Sequence, residues 1–529
     1  MSHLVDLFAR ICFVGVWASV ARALCTVVYR VWFHPLAKYP GPFWAKVTDA
    51  YGSYHAWKGD LHLDMWKCHL KYGDKVRYGP NRIMFNNVAA LKDIYAIGAN
   101  VKKATAYTSL GRRSPNTLTL RDKKQHASRR RIISQGLSDS ALRTYEETID
   151  KHIDNFIERL SKGDTANIES TPTGTWSVSK NMARWCEYLA FDITVDVVFG
   201  DQFEMISKAN NRPVLEAIAV SSKRVGVLMQ NPELKGSFLD KLLFQKGIVA
   251  RRKLLGFVDR MLKNKNEQHR PAQQNVLTML LNGKDQTTGE MLSPSVVLAE
   301  STTLIVAGTD TTATALSAFF FYVSRSPTAY EKVSKEIRTT FNSVDDIKNR
   351  QKLNSCLYLR ACIDEAMRMS PSVGSSLWRE VENEGMTVDK DIIPGGYDVG
   401  VAIYSIHHKD DYFPQPFSFI PERWTPDGKQ YTRESVELAR AAFNPFSIGP
   451  RSCVGKGLAM FEMTRILATT LLLYDFRVVG GPEGRLGEGS PLAGWGRDRQ
   501  NELQLCDHVT SATTGPLLQF KRRDNHASA

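Results

Sequence analysis

Eight cysteines in 529 residues, at positions 12, 25, 68, 186, 356, 362, 453 and 506, include no Cys-x-x-Cys pair and no clustered spacing. Their scatter argues against a disulfide framework and against a zinc site. The chain also lacks any Asn-x-Ser/Thr glycosylation acceptor, and both absences suit a body that faces the reducing cytosol. No G-x-G-x-x-G turn follows a predicted strand, so no dinucleotide site is expected within the chain itself. Internal repeats and low-complexity tracts are missing, and beyond residue 43 no Gly/Ser/Pro linker divides the sequence. One large domain is the simplest reading. Positive charge, in contrast, is in excess, at a formal +14, with Arg121 to Arg131 (RDKKQHASRRR) the densest run. That run lacks the interleaved aromatics of a nucleic-acid surface, so no nucleic-acid partner is expected. An acidic protein partner or an anionic membrane surface accounts for the charge.

Residues Ile11 to Tyr29 are apolar except for Arg22 and a few small polar residues. At roughly 1.5 Å per residue such a stretch can cross a ~30 Å hydrocarbon core. Arg22 costs about 2.5–3.5 kcal/mol at a helix centre, but in the C-terminal half it can snorkel to the interface. A cleaved leader would need the poor site Ala21-Arg22-Ala23, and an interfacial helix is a second rival. The closely spaced prolines of His34 to Pro42 favour an anchor followed by a stiff, non-helical hinge. The expected organisation is an anchor over 1–32, a hinge over 33–43 and a catalytic body over 44–529. Arg30 and Lys38 would keep the C-terminal side cytosolic.

Along the body, Lys75 to Asn81 and Arg82 to Val88 predict a β-hairpin turned at Gly-Pro-Asn. Ala141–Leu160, Ser179–Val198 and Ile248–Asn264 carry helical apolar spacing. Met386 to Ile406 reads as β-rich, with turns at 389–391 and 394–396. The longest helix has Ser293 as its cap, Pro294 at its first position and Pro327 as its stop, for roughly 32 residues. Apolar over much of its circumference, it should run through the core. The fold class is mainly α with small β-sheets.

The most informative segment is Phe446-Ser447-Ile448-Gly449-Pro450-Arg451-Ser452-Cys453-Val454-Gly455, a glycine-rich loop that delivers one cysteine to the start of a helix running from Lys456 to about Leu473. Phe446 can shield one side, Gly449 permits positive φ, Arg451 brings charge, and Gly455 would let the helix pack closely. The positive end of the helix dipole favours thiolate over thiol at Cys453. A buried structural cysteine is the alternative for any lone cysteine. The fixed offsets of Phe, Gly, Arg, Cys and Gly instead resemble the haem-binding loop of the cytochromes P-450, in which a thiolate pushes electron density onto iron.

Other motifs follow in family order. Ala307-Gly308-Thr309-Asp310-Thr311-Thr312 places small residues beside hydroxyls that can bond to backbone carbonyls and open the helix locally. Close helix packing and simple back-bonding are the structural alternative, against which stands the cost of a buried Asp310 without a role. The stretch resembles the oxygen-activating motif of the family's central helix. On that resemblance Thr311 assists oxygen activation and Asp310 relays protons from solvent. Glu365 and Arg368 share a helix face at i,i+3, and with Arg423 of Pro421-Glu422-Arg423-Trp424 they resemble the family's Glu-Arg-Arg triad, a folding element. His126 and Arg130 stand at i,i+4 where the family usually has Trp-x-x-x-Arg. The histidine is a departure that would make a haem propionate contact pH-sensitive. Arg379 and Arg451 resemble the remaining propionate ligands.

The resemblance runs from the hinge to the final strand, and Phe33-His34-Pro35-Leu36 and His407 to Trp424 are most similar to fungal members of secondary metabolism. It implies haem b (iron protoporphyrin IX) ligated by Cys453. It also implies a single-pass endoplasmic-reticulum protein with a cytosolic body. Its partners would be O2, an apolar small-molecule substrate and an NADPH-dependent diflavin reductase, docked on Lys123, Lys124, Arg129, Arg131 and Lys456. By analogy the pocket would be lined from 104 to 120, 304 to 311, 371 to 377 and around 509 to 512. Relatives that rearrange or dehydrate peroxides without a reductase tend to lose the acid/alcohol pair, whereas Asp310 and Thr311 are both present. A non-catalytic haem protein is the third reading, and would show no substrate-dependent NADPH consumption.

Overall fold

Why a 32-residue helix can run through the middle of a protein is visible in its own side chains. From Pro294 to Arg325 the helix buries residues on nearly every face, including Leu316, Phe319, Phe320 and Phe321. Each such side chain contributes roughly 1.5–3 kcal/mol by leaving water. The structure, a computed structural model, describes residues 2–111, 114–162, 175–267, 275–286 and 289–523. Around the central helix pack Met182–Phe199 on one side, and Leu357–Met369 and Lys456–Leu473 on another. Together they share one large apolar core.

The ends of the central helix differ in part from expectation. Ser293 has the extended backbone of an N-cap, but its side chain caps nothing. Its hydroxyl lies 3.1 Å from that of Ser295 instead. At the other end the helix stops at Arg325, and Pro327 opens the next helix, Pro327–Thr340, where its missing N–H costs nothing.

Three helices begin where side chains supply caps. Asp122 accepts from the Gln125 N–H at 2.7 Å and starts Lys123–Gly136. Ser138 starts Asp139–Leu160, two residues earlier than the apolar spacing alone indicates. Asn181 starts Met182–Phe199, which is later than expected because Lys180 and Asn181 are held as a strand against Leu517–Arg522. That strand also pairs with Tyr474–Val478, giving a three-stranded sheet.

The largest sheet has five strands in the order Lys75–Gly79, Arg82–Phe85, Asp398–Val401, Arg379–Val381, Val101–Lys103. The first two form the expected antiparallel hairpin, and Ile83 then pairs in parallel with Val399. Within 386–406, Met386–Val388 pairs with Asp391–Ile393 across a turn in which Asp389 and Lys390 take positive φ. The end of that stretch is a correction, since Ile403–His407 is a helix with every residue buried. Tyr404 stacks on His408 at 3.9 Å and meets His62 edge-on at 4.9 Å. Here packing overrides the β-propensity of an isoleucine-rich run.

At the N-terminus, Ser2–Val28 continues as a π-helical turn over Tyr29–Phe33. From Leu4 to Phe33 the helix is long and apolar enough to cross a membrane, and its most apolar window is 0% buried. The central helix is also apolar enough, but 67% of its window is buried, which makes it a core helix. The proline-rich segment after Phe33 is stitched to the sheet. The Arg77 N–H donates to the Pro40 carbonyl at 2.8 Å, and Arg77 Nη1 donates to the Arg30 carbonyl at 2.7 Å. A Cβ on Gly41 would come within 2.3 Å of the Arg77 carbonyl oxygen, so the close approach requires glycine.

Candidate active site

The cysteine loop is shaped by its backbone. The Cys453 N–H donates to the Phe446 carbonyl at 2.8 Å and closes the loop on itself. Gly449 sits at φ +71°, where a Cβ would lie 1.9 Å from the Tyr95 carbonyl oxygen, so no other residue fits. Gly455 behaves differently from expectation, because a Cβ there would meet only the Cys453 sulfur, at 3.9 Å. It keeps space open beside the sulfur and does not mediate helix packing. Arg130 holds the loop from outside, donating from Nη1 to the Ser452 carbonyl at 2.6 Å.

Cys453 is exposed and lines a cavity of about 350 Å³, which Phe446, Ala307, Gly308 and Thr311 also line. The cysteine loop and the central helix thus face each other across one largely apolar space. Burial pushes the Cys453 thiol up, while the Gly455 and Lys456 N–H groups and the charges of Arg130 and Lys456 pull it down. The helix-start effect read from sequence is present, but among the protein's own groups burial outweighs it.

On the central helix, Thr311 donates to the Ala307 carbonyl at 2.7 Å, and the helix continues unbroken through 307–312. Gly308 serves close packing, for a Cβ there would lie 2.6 Å from the Thr194 hydroxyl. Asp310 is not among the residues lining the cavity. Its carboxylate accepts from the Thr510 hydroxyl at 2.9 Å. Burial, opposed by that bond and aided by nearby Glu187, raises it to about 7.

The cations gather at a neighbouring opening of about 540 Å³ lined by Lys103, His126, Arg130, Arg379 and Arg451, the last of which also borders the apolar cavity. Arg451 donates to the Leu120 carbonyl at 2.8 Å, and Arg379 donates to the Leu377 and Trp378 carbonyls, both at 3.1 Å. Lys103 lies over the Tyr107 ring at 4.6 Å. None of Lys103, Arg130, Arg379 and Arg451 forms an ion pair with a carboxylate among the described residues. Burial and the surrounding Arg451, Lys103, Arg130 and Arg379 drive His126 down to about 3. Among the protein's own groups this favours the neutral imidazole. An apolar slot bordered by cations without carboxylate partners, Lys103 and Arg379 buried and Arg130 and Arg451 half-buried, fits a flat apolar group carrying two carboxylates.

Glu365, Arg368 and Arg423 meet in the core. Arg368 donates to both Glu365 oxygens at 2.9 and 2.8 Å, Arg423 donates at 3.0 Å, and Trp424 Nε1 adds a fourth bond at 3.1 Å. Arg368 also donates to the His407 and Pro416 carbonyls, and Arg423 to that of Pro414. Burial pushes the Glu365 carboxyl up, but the two guanidiniums outweigh it and hold it below its ordinary value.

The basic run is partly turned inward. Arg129 is buried, pairing with Glu300 at 3.1 Å, and Arg121 and Lys123 pair with Glu380 and Glu382. Arg129 thus leaves the expected docking face, while Lys124, Arg131 and Lys456 stay exposed. The cavity wall includes Tyr107, Leu118, Leu304, Ser375, Leu377 and Thr510 from the four expected segments, of which 112–113 lie outside the described residues. Sequence reasoning missed Lys103 and Glu462, and it placed Thr510 on the pocket wall without assigning it a role. Lys103 sits in a plain Lys-Lys strand, and Thr510 in a loop without a motif. Glu462 lines the cavity with Oε1 unpartnered among the described residues, and burial raises it to about 8.

A mainly helical body whose core helix faces a cysteine loop across an apolar cavity, with a cationic rim, defines a haem-thiolate enzyme. The cytochrome P450 family model matches residues 40–487. Among curated proteins, the chain is 43% identical to the cytochrome P450 monooxygenase AKT7 of Alternaria alternata, covering 94% of each chain. It is 44% identical to the monooxygenase poxM of Penicillium oxalicum, covering 94% of this chain and 92% of that one. Among solved structures, the retinoic acid-bound cyanobacterial CYP120A1 aligns with a TM-score of 0.67 at 21% identity, over 88% of this chain and 95% of that one. The chain belongs to the cytochrome P450 family, and it is a monooxygenase of that family.

Proposed function

We propose that Cys453 would hold the iron of haem b through its thiolate, and that the enzyme hydroxylates or epoxidises an apolar small molecule, of terpenoid, polyketide or alkaloid type, in fungal secondary metabolism. The carrying observation is that Cys453 and Thr311, from two different elements, line one cavity. When bound, the haem supplies activation of O2 and transfer of one oxygen atom to a C–H or C=C bond, the other leaving as water. Arg130, Arg379, Arg451 and Lys103 would hold its carboxylates, with His126 as a hydrogen-bonding neighbour. Phe446, Gly449 and Gly455 shape the space around the sulfur. Thr311, with its hydroxyl on the Ala307 carbonyl, would steer protons within the cavity, and Asp310 would supply them. Glu365, Arg368 and Arg423 lock the segment before the cysteine loop to the Leu357–Met369 helix.

Residues 1–32 are a single-pass anchor in the endoplasmic reticulum, 33–43 the joint, and 44–529 the cytosolic catalytic body. The exposed apolar helix and the exposed Lys124, Arg131 and Lys456 support this reading, the latter as the approach for an NADPH-dependent diflavin reductase. The test is the difference spectrum of the dithionite-reduced, CO-bound protein. A strongly red-shifted Soret band that disappears in Cys453→Ser is expected; a histidine-type band in the wild type overturns the ligand assignment.

A further inference from the structure

Asp310 and Thr311 are consecutive on one helix, about 100° apart around its axis, and only Thr311 of the two lines the cavity. Asp310 points toward the turn between the paired strands Cys506–Asp507 and Ser511–Ala512, where it bonds Thr510 at 2.9 Å. Thr510 in turn lines the cavity. Its position is not loose. Thr314 on the central helix donates to the Ser511 carbonyl at 2.6 Å, the Ser511 N–H donates to the Ser372 carbonyl at 2.8 Å, and Ser372 donates to the Thr311 carbonyl at 2.7 Å. Three bonds thus pin the loop carrying Thr510 to the helix carrying Asp310.

We propose that Thr510 is the hydroxyl through which Asp310 delivers its proton to the cavity, an inference that rests on the oxygenase reading above. A hydroxyl both donates and accepts. With Asp310 ionised, Thr510 donates to it. Once Asp310 takes a proton from the solvent side, the bond reverses: the carboxyl O–H donates to Thr510 Oγ1, and the threonine O–H is freed to point into the cavity. As Thr510 passes its proton to an acceptor there, it takes the one from Asp310, which returns to carboxylate. One proton moves, and no electrons do. The charged group facing Asp310 from the neighbouring helix is Glu187, itself paired with Arg184 at 3.0 Å, and its negative charge helps keep a proton on Asp310.

The experiment compares wild type, Thr510→Val, Thr510→Ala and Thr510→Ser, each carrying the red-shifted CO band, with NADPH and a diflavin reductase. Thr510→Val and Thr510→Ala should consume NADPH yet yield roughly tenfold less product per NADPH, with peroxide making up the difference, and Thr510→Ser should restore coupling to within about twofold. A second readout needs no turnover: the infrared carboxyl stretch that Asp310→Asn abolishes, titrated against pH. Loss of the hydroxyl that favours the charged form should move its midpoint upward in Thr510→Val and back again in Thr510→Ser. Coupling that survives in Thr510→Val, a failure of serine to rescue it, or an unmoved midpoint overturns the relay. A wild type that oxidises no NADPH with reductase overturns the oxygenase reading itself, a result separate from any of these.

Discussion

Arg130 donates to the backbone carbonyl of Ser452, the residue immediately before Cys453, while its guanidinium also borders the cationic opening. One side chain therefore links the position of the cysteine loop to the charge that greets a bound diacid.

Arg130→Leu should lose both functions. A hydrogen bond from a charged donor is worth about 1.5–3 kcal/mol, so a lowered Tm and a smaller CO band per mole of protein are expected. Arg130→Lys keeps the charge without the planar fork and should recover only part of the band. Full occupancy in the leucine variant would remove Arg130 from haem retention.

Glu365→Gln leaves two buried guanidiniums short of their counter-charge, and a loss of about 3–5 kcal/mol is expected in urea unfolding. The sign of the pH effect follows from the lowered carboxyl. Its contribution is complete above the ordinary value of 4.5 and is lost as pH falls through the folded value. The glutamine variant should therefore be less stable at pH 7 and show a shallower acid limb than the wild type.

Glu462 carries the opposite sign. Because burial raises it to about 8, its stabilising contribution is full below 4.5 and fades as pH rises through 8. Glu462→Gln should flatten the loss of stability between pH 4.5 and about 8, read as Tm against pH. An unchanged slope in that window would mean that the carboxylate finds a partner. On the acid side, His62 and His407, both driven to about 3 chiefly by burial, resist protonation, so stability falls as pH drops below 6.5.

Thr311→Ala removes a hydroxyl whose bond is to its own helix, so stability should change by less than about 1 kcal/mol. NADPH should still be consumed, with most of it diverted to peroxide. Product per NADPH equal to wild type would take Thr311 out of proton steering.

The motifs that could be read in advance are those whose parts lie within a few residues of one another. The loop from Phe446 to Gly455 is closed by a bond between its own ends, and Glu365 and Arg368 are helix neighbours. What could not be read depends on distant partners. Arg129 looked like its basic neighbours until Glu300, from the central helix, drew it inward. Ile403–His407 is helical because of what Tyr404 stacks upon, and Thr510 matters because Asp310 lies 200 residues away in sequence. Gly308 sits in the motif expected to open the helix locally, yet its missing side chain accommodates Thr194 from a neighbouring helix.

The stitching of Arg77 to the Arg30 and Pro40 carbonyls changes how the N-terminal helix acts on the body. A loose tether would let the catalytic body tumble beneath a bilayer, sampling every heading. A joint fastened on both sides of the prolines works as an oar in its lock: tilting the shaft turns the blade. With the N-terminal helix seated in a bilayer as proposed, the heading of the cavity mouth would be set by the sheet edge that grips residues 30–41, and substitutions at Arg77 or Gly41 should alter delivery of lipid-dissolved substrate while leaving the chemistry at the cysteine untouched.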